Sequence, residues 1–105
     1  TTTDVEGTVV EIPTEYRLEQ NYPNPFNPTT KIAFSIPKTE HVTIAVFNIL
    51  GQKVATVVDR NFDAGTFTVS WNARNDGGVP LATGVYLYRI TTSEFSTTRK
   101  MILLK

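Results

Sequence analysis

Asn21-Tyr22-Pro23-Asn24-Pro25-Phe26-Asn27-Pro28, followed two residues later by Lys31-Ile32-Ala33-Phe34-Ser35-Ile36, decides how this chain is read. Three prolines within six residues remove three backbone donors and hold φ near about −65°. Each also turns the residue before it toward extended or polyproline II backbone. Neither a helix nor a central strand runs through such a segment. A loop needing only flexibility would carry Gly and Ser; this one is stiff and carries two aromatics, Tyr22 and Phe26. The next segment alternates Ile32, Phe34 and Ile36 with Lys31, Ala33 and Ser35, the period of a half-buried strand. The tract therefore reads as a rigid clasp at the start of a β domain.

Strand and turn signals follow in regular succession. Val42, Ile44 and Val46 alternate with Thr43 and Ala45, and Asn48-Ile49-Leu50-Gly51 has the Asn-first, Gly-fourth form of a tight turn. Lys53–Val58 returns as a strand and Asn61–Gly65 turns again. Phe67, Val69 and Trp71 share one face of the next strand, and Tyr86, Tyr88 and Ile90 share a face of another beyond the polar loop Asn72–Gly84. Ser93-Glu94 turns the chain into a last strand, Phe95–Leu104. Thr1–Arg17 is weakly patterned: Thr1-Thr2-Thr3-Asp4 is linker-like, and Gly7–Ile12 carries a short edge strand ended by Pro13. No window keeps a helical period. About seven short strands at this spacing predict an all-β, immunoglobulin-like antiparallel β-sandwich over residues 18–105, with an aromatic core of Phe34, Phe47, Phe67, Trp71 and Tyr86 in place of a disulfide.

Composition narrows the function. The chain has 105 residues, enough for one core, and 40% apolar residues, too many for disorder. Ten basic and ten acidic residues cancel, which removes the electrostatic case for a nucleic-acid partner. Zero cysteines exclude disulfides and cysteine-bound metal. No apolar run approaches the roughly 20 residues of a membrane-spanning helix. His41, the one histidine, stands in the polar turn after Lys38-Thr39-Glu40, so no Ser-His-Asp arrangement is available. Asp59, Asp63 and Asp76 fall in turn-like stretches where Asp is common for local reasons. Asn72–Gly77 has the outline of a calcium loop, but Arg74 stands where an oxygen ligand is needed and Thr83 where the twelfth-position Glu belongs. No catalytic residue, metal site or cofactor is expected.

Leu18-Glu19-Gln20-Asn21-Tyr22-Pro23-Asn24-Pro25-Phe26-Asn27-Pro28-Thr29-Thr30 strongly resembles the start of the type A C-terminal sorting domains of the type IX (Por) secretion system, which end proteins exported across the outer membrane by Bacteroidetes and related bacteria. The motif residues carried over are Pro23, Asn24, Pro25, Phe26, Asn27 and Pro28, with Gly51 in a run that looks like the family's central hairpin and Gly84 and Tyr86 in its Gly-Val-Tyr motif. The fold of that family is shared with immunoglobulin-like modules of flagellar hook-cap type. The resemblance implies a non-enzymatic targeting domain that follows an upstream cargo domain. It implies transit through the periplasm, recognition by the outer-membrane translocon, and release to the surface or medium by a sortase-like peptidase cutting within residues 1–17.

Lys100-Met101-Ile102-Leu103-Leu104-Lys105 is the second specific feature: four apolar residues between basic ones. It reads either as a strand buried on both faces or as a tag for a transport receptor, and the family ends in a short segment of this kind. The expected mechanism is edge-strand pairing, with Met101–Leu104 filling pockets and Lys100 and Lys105 setting orientation. The rival reading is a carbohydrate-binding or adhesion module of a secreted hydrolase, with Tyr16, Tyr22, Phe26 and Trp71 as a stacking face; a passive spacer is the third.

Overall fold

A computed structural model of the protein describes residues 2–5 and 8–105. Among the described residues nine strands follow in chain order: β1 (Thr2–Val5), β2 (Thr8–Glu11), β3 (Arg17–Leu18), β4 (Thr30–Ile36), β5 (Glu40–Phe47), β6 (Lys53–Phe62), β7 (Gly65–Trp71), β8 (Gly84–Thr91) and β9 (Ser96–Leu103). The last seven form an antiparallel sandwich of two sheets, ordered β3-β4-β7 and β6-β5-β8-β9. The expected all-β sandwich is thus the observed one.

Alternation assigns the core. On β4, Ile32, Phe34 and Ile36 are buried; on β5, Val42, Ile44 and Val46; on β8, Tyr86, Tyr88 and Ile90. Phe34 meets Phe62 edge-on at 5.1 Å and lies 5.7 Å from Phe67, so one aromatic cluster joins β4, β6 and β7. Trp71 is buried as expected, and its indole N–H donates to the Arg74 carbonyl. The Tyr86 hydroxyl donates to the Ala82 carbonyl four residues upstream, the local bond of a tyrosine corner. Gly51 closes the β5–β6 turn at φ 82°, a conformation that glycine adopts without steric cost. There the Asn48 side chain accepts from the Leu50 and Gln52 amides.

Four expectations change. Phe47 is not core: it faces outward on β5, and the Arg89 guanidinium lies 4.6 Å from its ring centre. Phe67 is only half-buried, while Phe26, Phe62 and Tyr88 are buried instead. β6 runs on to Phe62, because Asp59, Arg60 and Asn61 are solvated positions of an edge strand rather than turn residues. At the N-terminus, linker-like Thr2–Asp4 belongs to β1, which pairs with β2 in a separate sheet, so β2 is not an edge of the sandwich. β-branched Thr and Val favour that pairing over a linker. Thr1 and Gly7 lie outside the described residues.

Phe34 is fully buried at the centre of the aromatic cluster. Replacing it with Ala is expected to cost about 3–5 kcal/mol, measured as a lowered denaturant midpoint without a change in slope.

Candidate functional site

The proline tract runs from β3 to β4 and folds back on the last strand. Its prolines cannot pair as a strand does, and the Tyr22–Pro23, Asn24–Pro25 and Asn27–Pro28 peptide bonds are all cis. Hydrogen bonds come from the residues between the prolines. Tyr22 exchanges both backbone bonds with Lys31 at 2.9 Å. Phe26 donates its N–H to the Ile102 carbonyl and accepts from the Leu104 N–H, each at 3.0 Å, so that it lies parallel against Leu103. The Asn24 Oδ1 accepts from the Ile102 N–H at 2.9 Å, and the Gln20 side-chain amide donates to the Lys100 carbonyl at 2.8 Å.

A buried polar knot holds the start of the tract. The Asn21 N–H donates to the Tyr88 hydroxyl at 2.8 Å, and that hydroxyl donates to the Glu19 carbonyl at 2.7 Å. The Asn21 Nδ2 donates to the Thr30 Oγ1 and the Pro23 carbonyl, and the Thr30 hydroxyl donates to the same carbonyl. Asn21 and Thr30 are buried, and no buried side-chain polar atom among the described residues lacks a partner. Burial pushes the Tyr88 phenol above its ordinary value, against the opposing pull of the Asn21 bond and the Arg99 charge.

The expected site residues fall into two groups. Phe26, Tyr86, Met101 and Leu103 are core, with Phe26 tilted against Trp71 at 6.1 Å. Pro23, Asn24, Pro25, Asn27, Pro28, Lys100, Leu104 and Lys105 are exposed and Ile102 is half-buried. The fold brings the tract and residues 100–105 together, with Gly84 opposite Leu103 and Tyr86 opposite Met101 in register, while Gly51 sits at the β5–β6 tip.

This arrangement leaves little free backbone at the end of β9 for the expected edge-strand pairing. The Lys100 carbonyl, the Ile102 N–H and carbonyl and the Leu104 N–H are already taken by Gln20, Asn24 and Phe26. The side chains of Met101 and Leu103, both at 0% exposure, point into the core and cannot fill a partner's pockets. The sugar-stacking face also fails to form. Phe26 and Trp71 are buried, and Tyr16 stacks on Phe95 at 4.9 Å while donating to Glu40. In the loop Asn72–Gly84, the Asn75 Oδ1 accepts from the Gly77 and Val79 amides and Asp76 accepts from the Thr56 amide, which makes it a braced turn. Sequence reasoning missed Gln20, Asn21 and Tyr88. Tyr88 carried only a core signal, because its hydroxyl partners lie 67 and 69 residues away.

Tyr88→Phe leaves the buried Asn21 N–H without its acceptor and is expected to cost about 1–3 kcal/mol. A raised phenol pKa favours the folded state while the unfolded tyrosine is protonated. That contribution is full below the unfolded value of 10.0 and is lost as pH rises through the folded one. Alkaline titration of the melting temperature should therefore show a fall above that value, part of which disappears in Tyr88→Phe.

The family model described as "Secretion system C-terminal sorting domain" matches residues 20–104. No curated protein matches the chain. Among solved structures, dimeric latent PorU from Porphyromonas gingivalis aligns with a TM-score of 0.70 at 18% identity, over 90% of this chain and 10% of that one. FlgD from P. aeruginosa aligns with a TM-score of 0.57 at 21% identity, over 70% of this chain and 57% of that one. PorZ, a surface component of the type IX secretion system of Porphyromonas gingivalis, aligns with a TM-score of 0.52 at 19% identity, over 86% of this chain and 11% of that one. The chain thus spans about a tenth of PorU and PorZ and just over half of FlgD, and at such identities these likenesses show the fold. The family match covers most of the chain: it belongs to the C-terminal sorting domains of the type IX secretion system, non-enzymatic modules that direct an exported protein to the cell surface or medium.

Proposed function

We propose that the secretion machinery reads the surface where the proline tract meets the end of β9. One observation carries this: Phe26 binds Ile102 and Leu104 through the backbone, so the two most specific stretches of the sequence form a single rigid patch. Tyr22, 80% exposed, and Pro25 border it on one side; Lys100, Ile102, Leu104 and Lys105 border it on the other. Recognition is by side chains on a prebuilt surface, since the main-chain groups of residues 100–104 that face the tract are spent internally. A rigid patch loses little conformational entropy on binding.

In this reading the folded domain crosses the periplasm behind its cargo and engages the outer-membrane translocon. A sortase-like peptidase then cuts upstream of Tyr16. Support for that position comes from the anchoring of Tyr16 on Phe95 and Glu40 and from the pairing of Arg17 and Leu18 with β4. From Tyr16 onward the chain is built into the sandwich, whereas a peptidase needs extended, unpaired backbone.

Leu104 is 48% exposed, so Leu104→Asp tests recognition without opening the core. In a bacterium with type IX machinery, a signal peptide, fluorescent reporter and this chain are fused and the extracellular reporter is measured. Leu104→Asp should stop secretion while purified protein keeps its stability within about 0.5 kcal/mol. Undiminished secretion of the folded variant would sink the reading. Leu103→Asp is expected to unfold the domain, because it places a charge in the core.

A further inference from the structure

The outer face of the four-stranded sheet is apolar at one end and polar at the other. Cross-strand register puts Ile102 opposite Val85, Lys100 opposite Leu87, and Leu87 opposite Phe47. Phe47, Leu87 and Ile102 are half-buried and Val85 is 39% exposed, on strands whose alternate residues fill the core. These four side chains form one outward patch over three neighbouring strands. Ile49 and Leu50, strongly exposed, stand at the β5–β6 tip that follows Phe47. Farther along the same face stand Thr43, His41, Asp59 and Asn61, tied to one another by hydrogen bonds.

The rim of the patch is cationic. Lys53 pairs in register with Phe47, Arg89 stacks over Phe47, and Lys100 pairs with Leu87. None of the three forms a salt bridge among the described residues, although the Lys53 charge lies close enough to Asp59 to help lower its carboxyl. Asp59, a carboxylate on this face, is held by His41 and Thr43 and feels the Lys53 charge, which leaves Arg89 and Lys100 as the cations with no acidic partner among the described residues. A partly exposed apolar surface with a polar rim marks an interaction site, and cations around it without salt-bridge partners select a partner of opposite charge.

We infer that this face docks a partner protein whose surface is aliphatic at its centre and carries Asp or Glu at its rim. This deepens the reading that the machinery engages residues 100–105, and rests on it, because Ile102 and Lys100 belong to both surfaces. A second copy of the chain does not suit the face: a twofold interface would set the same cations against themselves.

The test uses substitutions outside residues 100–105 in the same secreted fusion. Lys53→Glu with Arg89→Glu should lower extracellular reporter by about tenfold or more, and Val85→Ser should lower it too, both at unchanged melting temperature. The control, Arg17→Glu with Lys31→Glu, makes the same charge change on the three-stranded sheet and should secrete normally. If the Lys53/Arg89 pair of changes unfolds the domain, Val85→Ser decides alone. Normal secretion of the folded face variants while Leu104→Asp blocks export would overturn this inference and leave the terminal patch standing. Normal secretion of Leu104→Asp as well would overturn both. Purified chain is also sedimented with vesicles of phosphatidylglycerol and phosphatidylcholine. Binding that Lys53→Glu with Arg89→Glu abolishes would assign the face to an anionic lipid surface and overturn the protein partner; no sedimentation is the expected result.

Discussion

A segment without enough N–H groups to be a strand nevertheless covers the edge of one, and the rest of the molecule is arranged around that constraint. Prolines at 23, 25 and 28 leave the tract short of donors. The deficit is met from between them: Phe26 supplies one backbone donor and one acceptor, Asn24 and Gln20 supply side-chain atoms, and Tyr22 uses its own backbone pair with Lys31. Each such bond is worth only about 0.5–1.5 kcal/mol net. The larger stabilisation comes from Phe26, whose ring is carried into the core beside Trp71. Polar residues therefore set the register of the tract, and one aromatic holds it down.

Closing that edge changes how the domain can be recognised. An uncovered edge strand ending in aliphatic residues would pair with other chains indiscriminately. Here Gln20 and the tract occupy the Lys100 carbonyl, the Ile102 N–H and carbonyl and the Leu104 N–H. On the proposed reading, a receptor at this end of β9 meets side chains and a sheet face rather than free backbone. That favours specificity over the generic affinity of β-augmentation, and it makes the reading depend on the folded state, because residues 24–26 and 102–104 come together only in the sandwich.

Much of the fold was legible because its signals are local. The period-2 alternation of Ile32, Phe34 and Ile36, and of Tyr86, Tyr88 and Ile90, gives the inward face directly. Phe47 misled because the same alternation that buries Val46 turns Phe47 outward. Phe47 was expected among the core aromatics, but it faces outward with the Arg89 guanidinium over one side of its ring. Met101 to Leu104 misled in the opposite direction. An unbroken aliphatic run hides its alternation, and only pairing with Tyr86 and Gly84 shows that Met101 and Leu103 face in. The clasp was legible as rigid from its prolines, but its docking partner was not. The contacts of Asn24 and Gln20 with β9 span 78 and 80 residues, and no local pattern encodes a separation of that size.

The same geometry divides the sandwich into unlike ends. At one end lie the β5–β6 tip with Ile49 and Leu50, the tract with Tyr22, and Val85, Ile102 and Leu104, which together hold most of the exposed large apolar side chains. At the other, Tyr16 binds Glu40, Ser93 binds Glu40, and Lys38 pairs with Glu94, so the polar groups are matched among themselves. A module that served only as a spacer would gain nothing from this division, because exposed apolar surface carries an aggregation cost. Apolar side chains concentrated at one end, beside Arg89 and Lys100, fit the proposed partner surface. Tyr16, where the chain enters the sandwich, is anchored at the opposite end by Glu40 and Phe95. On the proposed reading, a cargo attached upstream of Tyr16 would trail away from the recognised surface.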